Sequence, residues 1–183
     1  LASMFMGIGK ENVSGRAVVV GHVGTGKTVL TRRFAEDVVR EMDGIRKIVL
    51  SHVNCRNHPS TSQVLQQIAL SLDSRHPERG FSSGEIIQSI RRIIRSRGLH
   101  MILVLDEVDV LVRRDSSDLI YKLLRIDEGQ GNQGTVSLIL VSQDPSLMGM
   151  LEPAIISRLG ESNVLGLEPY DFDGLVGISK QRY

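Results

Sequence analysis

Tryptophan is absent from this 183-residue chain, aromatic residues make up only 4% of it, and there is a single cysteine, Cys55. One cysteine excludes an internal disulfide, and the composition suits a reducing compartment. Net charge is also scarce: 22 basic against 21 acidic side chains leave +1. The strongly basic footprint of a dedicated nucleic-acid module is therefore missing, which neither supports nor excludes a DNA partner. No apolar run approaches the roughly 20 residues a helix needs to cross a bilayer, so membrane insertion is not expected. Internal repeats and low-complexity segments are missing too. What remains, 41% hydrophobic and 23% charged residues, is enough for one domain with a sizeable core and too little for two comfortable ones. The sequence opens on Leu1 and closes at Tyr183 inside a helical pattern, and it reads as a piece of a longer chain.

Between an apolar run, Ala17 to Val20, and a helical pattern, Val29 to Met42, lies GHVGTGKT, Gly21 to Thr28. It fits G-x-x-x-x-G-K-[ST], the phosphate-binding loop of nucleoside triphosphatases. Gly21, Gly24 and Gly26 are expected to let the backbone curl with positive φ, so that successive N–H groups form an anion-binding nest. Lys27 then reaches the β- and γ-phosphates. Thr28 offers its hydroxyl to Mg²⁺ at the first turn of a helix whose positive dipole end faces the triphosphate. The expected contacts to ATP or ADP are thus Gly21, His22, Val23, Gly24, Thr25, Gly26, Lys27, Thr28 and Val29, with His22 contributing its backbone rather than its ring. A dinucleotide-binding loop is excluded, because G-x-G-x-x-G from Gly24 needs glycine where Val29 stands.

Around this loop the periodicity alternates. Leu30, Phe34, Val38 and Met42 recur every four residues among charged positions, an amphipathic helix ended by Asp43-Gly44. Lys47 to Val53 reads as a strand, Asn54 to Pro59 as a polar loop closed by Pro at a helix start, and Val64, Leu65, Ile68 and Leu72 as one face of the next helix. Ser82 and Glu85 form a capping box ahead of Ile86, Ile87, Ile90, Ile93 and Ile94. Arg91, Arg92, Arg95 and Arg97 fall largely on the other side, a solvated face with phosphate-backbone contact as the sharper alternative. Met101 to Leu105, Val136 to Val141 and Asn163 to Leu167 are further strands, and Leu119 to Leu124 and Pro153 to Leu159 are helices. Leu1 to Ser14 reads as a helix end and loop, and Asp171 onward as one more helix. Strands alternating with helices imply parallel pairing by right-handed crossovers, hence a three-layer α/β sandwich with a parallel sheet.

Binding alone needs only the loop; hydrolysis needs groups at the γ-phosphate. ILVLDEVD, Ile102 to Asp109, is an apolar strand that ends in acids at the carboxyl edge of the sheet, where open α/β folds bind ligands. Asp106 is placed to hold Mg²⁺ and Glu107 to act as general base on the attacking water. Asp109 is expected to cap or salt-bridge the following segment, and Arg113-Arg114 to lie on the surface. The strand Val136 to Val141 is expected between the two motif strands, bringing Gln143, or else Ser142, to the γ-phosphate. Arg158, before the last strand, is either a finger on the transferring phosphoryl group, in its own site or a neighbour's, or a surface arginine. His52, Cys55 and His58 share a loop but match no common zinc framework.

These motifs resemble the AAA+ ATPases, and within them the archaeal replication initiators similar to the origin recognition complex and its cell-division-cycle loading partner. The generic part is GHVGTGKT with ILVLDEVD. The narrower part is Val53-Asn54-Cys55, the stretch Val64-Leu65-Gln66-Gln67-Ile68-Ala69, LDEVDVL, Leu119 to Arg125, VSLILVSQD, and Ser157-Arg158-Leu159. The resemblance implies an AAA+ core over residues 1–168 and the start of a truncated helical lid over 169–183, with a winged-helix DNA-binding domain beyond the chain. Lys27 and Thr28 look like Walker A ligands, Asp106 and Glu107 like the Walker B pair, and Arg158 like a finger offered to an adjacent subunit. Gln143 stands where the family usually has a sensor Asn, one methylene shorter, which implies looser water positioning and slower hydrolysis. The family would make ATP a switch controlling origin DNA binding, with other initiator subunits and the replicative helicase as partners, on the nucleoid in the cytoplasm or in a nucleus. A clamp-loader-like or other remodelling ATPase, and an assembly module with little hydrolysis, are the alternatives. In initiators the region corresponding to 57–99 carries helical elements that can touch DNA, which points to the arginines from Arg91 to Arg97.

Overall fold

A computed structural model describes residues 14–114, 117–129 and 134–168. The helices expected before Ser14 and after Asp171 lie outside the described residues. Five strands, β1 (Arg16–Gly21), β2 (Ile48–Asn54), β3 (His100–Asp106), β4 (Thr135–Ser142) and β5 (Val164–Leu167), form one sheet in the order β2-β3-β4-β1-β5. Every pairing is parallel. All residues of β3 and β4 are buried, which is why Met101 to Leu105 reads as a continuous apolar run and β4 as a largely apolar one: a central parallel strand is covered on both faces.

Alternate residues feed two cores. Ala17, Val19, Ile102, Val104, Ile139 and Val141 point to one face and meet Ala35 of α1 (Lys27–Glu41). Val18, Val20, Met101, Leu103, Leu105, Leu138 and Leu140 point to the other. There they meet Val64, Leu65 and Ile68 of α2 (Thr61–Leu72), the isoleucines of α3 (Ser83–Arg97), and Leu119, Ile120 and Leu123 of a helix over Ser117–Leu124. This is the expected three-layer sandwich. Counting in chain order, the short helix Asp109–Val112 after β3 is α4, Ser117–Leu124 is α5, Leu147–Met150 is α6 and Pro153–Leu159 is α7.

Two helix starts show the local chemistry at work. Ser82 caps α3 through its hydroxyl while Glu85 returns a bond to the Ser82 amide, the capping box expected from the sequence. The α2 start differs from expectation: Pro59 does not open the helix, and Ser60 caps it by accepting from the Gln63 amide. A side-chain acceptor for an orphan N–H outweighs the preset φ of proline here.

Candidate nucleotide-binding site

The loop from Gly21 to Gly26 leaves the carboxyl end of β1 and runs into the first turn of α1. Gly24 and Gly26 have φ of 85° and 78°, the left-handed region that a side chain disfavours. Gly21 is required for a different reason: a Cβ there would lie 2.4 Å from the Leu167 carbonyl oxygen of β5 and 3.1 Å from Thr25 Oγ1. Lys27 is 6% exposed, and its Nζ donates to the His22 carbonyl at 2.6 Å and to Thr25 Oγ1 at 3.2 Å, which curls the loop around the ammonium. Burial lowers the Lys27 pKa below the ordinary lysine value, although Asp106, Asp109 and Glu107 pull it upward. Several carboxylates therefore face one buried cation.

Asp106, the last residue of β3, is buried, and its Oδ2 accepts from Thr28 Oγ1 at 2.7 Å. His52 Nε2 lies 3.5 Å from the same oxygen, and Oδ1 accepts from the Glu107 amide at 2.9 Å. Burial raises the Asp106 pKa, but the bonds from His52, Thr28 and the Glu107 amide outweigh it, so the carboxyl is held below its ordinary value. A hydroxyl and an ionised carboxylate meeting at the mouth of a glycine loop are hard oxygen donors. They suit Mg²⁺, which takes one or two protein oxygens beside substrate phosphates.

Glu107 has φ of 54°, a left-handed conformation that costs a non-glycine residue energy and tends to mark functional sites. Its Oε1 accepts from Asn54 Nδ2 at 3.4 Å. Arg56 forms a close ion pair with Oε2, without the alignment of a hydrogen bond. His52, Asn54 and Arg56 are site residues that the motifs missed as such. The signal lies in the register: β2 pairs with β3 so that Asn54 sits beside Asp106, which cannot be seen without the strand order. Cys55 is fully buried and its thiol is pushed up to about 12, by burial first and the three nearby acids next.

As expected, β4 lies between β1 and β3. Ser142 pairs with Val20, which puts Gln143 level with Gly21 at the start of the phosphate loop. Arg158 is not brought to that loop. Its carbonyl accepts from Arg16 Nη1 at 2.9 Å, and Arg16 opens β1 whereas Gly21 closes it, five steps or about 17 Å along the strand. The Arg158 guanidinium pairs with Glu128 and lies 5.5 Å from the Tyr121 ring centroid. Arg125 shares both partners, its Nε 2.6 Å from Glu128 Oε2 and its guanidinium 5.4 Å from the same ring.

A glycine loop at the carboxyl edge of a parallel sheet, bridged through Thr28 to an acid on the second motif strand, one strand removed, defines a P-loop nucleoside triphosphatase core. The AAA domain family matches residues 12–151, and the chain belongs to it. It is similar to the ORC1-type DNA replication protein of Desulfurococcus amylolyticus, 32% identical over 166 residues that cover 90% of this chain and 42% of the relative. ORC1-type DNA replication protein 3 of Saccharolobus solfataricus is 33% identical over 172 residues, 91% of this chain and 41% of the relative. Among solved structures, the Aeropyrum pernix ORC1 protein in complex with DNA superposes with a TM-score of 0.83 at 29% identity, covering 99% of this chain and 46% of that one. The Aeropyrum pernix ORC2 protein in its ADPNP-ADP complexes reaches 0.86 at 20% identity, over 98% of this chain and 48% of that one, a likeness of fold. The chain spans less than half the length of these relatives.

Proposed function

We propose that the chain is the nucleotide-binding core of a DNA replication initiator. It binds ATP with Mg²⁺, hydrolyses it slowly, and through its nucleotide state governs the hold on origin duplex DNA, on other initiator subunits and on the replicative helicase. The observation that carries the nucleotide half is the 2.7 Å bond from Thr28 to Asp106 beneath the glycine loop. The initiator half is supported by the likeness to ORC1-type replication proteins. A cytoplasmic, nucleoid-associated setting, or a nuclear one in a eukaryote, follows from the same reading.

When bound, the metal and triphosphate supply charge neutralisation at the transferring phosphoryl group. Thr28 and Asp106 hold the metal side. Lys27, poised within the loop, exchanges its bonds to His22 and Thr25 for phosphate oxygens. Glu107 takes the proton of the attacking water, and Gln143 orients that water. Asn54 and Arg56 both engage the Glu107 carboxylate and compete with water for it, which supports slow turnover. Arg158, at the opposite edge of the sheet, serves a neighbouring subunit. On α3, Arg91, Arg92, Arg95 and Arg97 line an open cleft of about 880 Å³, with Glu128 the one acid among its described lining residues, which supports contact with DNA phosphates.

The test is nucleotide affinity and turnover of the protein beside Glu107→Gln, with and without duplex DNA. Tight binding, slow turnover abolished by the substitution, and a nucleotide-dependent hold on DNA are expected. Fast turnover that is indifferent to DNA and raised by a protein partner would instead make this a clamp-loader-like or remodelling ATPase.

A further inference from the structure

Three residues beyond Asp106, a second buried carboxylate stands close to the site without touching the loop. Asp109 is 4% exposed. Its Oδ1 accepts from the Gln143 amide at 3.3 Å and lies 3.2 Å from Ser142 Oγ. Its Oδ2 is 3.9 Å from Arg113 Nη2, which in turn reaches Asp144 Oδ2 at 2.8 Å. The main chain adds one more tie, from the Val108 amide to the Val141 carbonyl at 3.0 Å. The turn after β3 and the turn after β4 are thereby fastened to each other, and Asp109 is the charged group at the centre of the fastening.

We infer that Asp109 is a positioning residue for hydrolysis: by accepting from the Gln143 amide it sets where the Gln143 side chain stands relative to the end of the acid-bearing strand. The inference rests on the reading of Gln143 as the residue that orients water. Gln143 is the first residue past a strand end, so its backbone is not held by the ladder. A charge-assisted bond from a buried carboxylate is stronger than a neutral one, and deleting it leaves a donor without its partner. An amide side chain one methylene longer than asparagine also has more freedom to lose, and a displacement of about 1 Å in a positioned group can cost ~10²-fold in rate. Loss of Asp109 should therefore lower turnover far more than nucleotide affinity, since Asp109 makes no direct bond to the loop or to Thr28 and reaches Lys27 only through its charge.

The experiment is a double-mutant cycle in the protein, with Asp109→Ala, Gln143→Ala and the pair. Single-turnover ATP hydrolysis, ADP affinity and melting temperature are measured for each. Each single change is expected to lower turnover by about tenfold or more, with ADP affinity within about twofold. The double variant should be no slower than the slower single. Asp109→Asn retains an acceptor oxygen for the Gln143 amide but not the charge, and is expected to recover part of the rate. If Asp109→Ala does not fold, Asp109→Glu, which keeps the charge and moves the carboxylate by one methylene, replaces it in the same cycle. Effects that multiply in the double variant, or unchanged turnover without Asp109, overturn the inference. Normal turnover in Gln143→Ala overturns it together with the role of Gln143, whereas a slow Gln143→Ala with multiplying effects overturns Asp109 alone.

Discussion

The hydroxyl of Thr28 donates to Asp106 Oδ2 at 2.7 Å, although the strands that carry the two motifs are separated by β4. The bond therefore crosses the top of a strand and joins the first turn of α1 to the end of β3. Both groups are the ones assigned to the metal. Replacing Thr28 by Val keeps the shape and removes the donor and the ligand oxygen. Hydrogen bonds to charged groups are worth roughly 1.5–3 kcal/mol. The added affinity that Mg²⁺ gives to ATP is accordingly expected to fall by about tenfold or more in Thr28→Val, while affinity measured in EDTA changes little. Titration of a fluorescent ATP analogue with and without Mg²⁺ reads this directly. An unchanged Mg²⁺ effect would remove Thr28 from the metal site.

Arg158 and the phosphate loop lie toward opposite edges of one sheet. A finger in that place acts only on a neighbour's nucleotide. Arg158→Ala is therefore expected to bind ATP normally and to lose turnover, on the order of 10³-fold for a fully engaged finger. Lys27→Ala is expected to lose nucleotide and keep its Arg158. Neither variant alone turns over, but a mixture pairs an intact site with an intact arginine, and part of the rate returns. Steady-state assays across mixing ratios show this as a maximum at intermediate composition. A flat, inactive series at concentrations where the unmodified protein assembles would rule out action in trans.

The parts of the site legible in the sequence are those written along one stretch of chain. The glycine loop with its lysine is one contiguous motif and the acids at the end of β3 are another, so spacing within each motif places them. Gln143 needed one further step, the position of β4 between the motif strands. The residues missed are set by pairing across the sheet: Asn54 engages Glu107 only because β2 and β3 run in a register that aligns Asn54 with Asp106. Arg56 and His52 follow from the same edge. Gly21 shows a related limit, since the atom that forbids a side chain there belongs to Leu167, far along the chain. Asp109 was readable as a cap or ion-pair partner of its own segment. Its bond to the Gln143 amide across 34 positions was not.

A last expectation concerns stability rather than activity. His100 opens β3 and is fully buried, its Nδ1 2.7 Å from Thr135 Oγ1 and its Nε2 3.0 Å from Ser137 Oγ. Burial, and then the nearby Arg46 charge, lower its pKa to about 3. In the unfolded chain the same ring titrates near its ordinary value of about 6.5. Between these values the unfolded state binds a proton that the native state refuses. The contribution is therefore fully present above about pH 6.5 and is lost as the pH falls toward 3, with a slope approaching 1.4 kcal/mol per pH unit from this group. Urea unfolding at pH values from 7.5 to 4.5 should show the native protein losing stability more steeply than His100→Asn, by about one proton's worth of slope. The variant is expected to be less stable at pH 7.5, because it disturbs the hydroxyl partners, and to close the gap as the pH drops. Parallel stability curves for the two proteins would mean that His100 takes up its proton while folded.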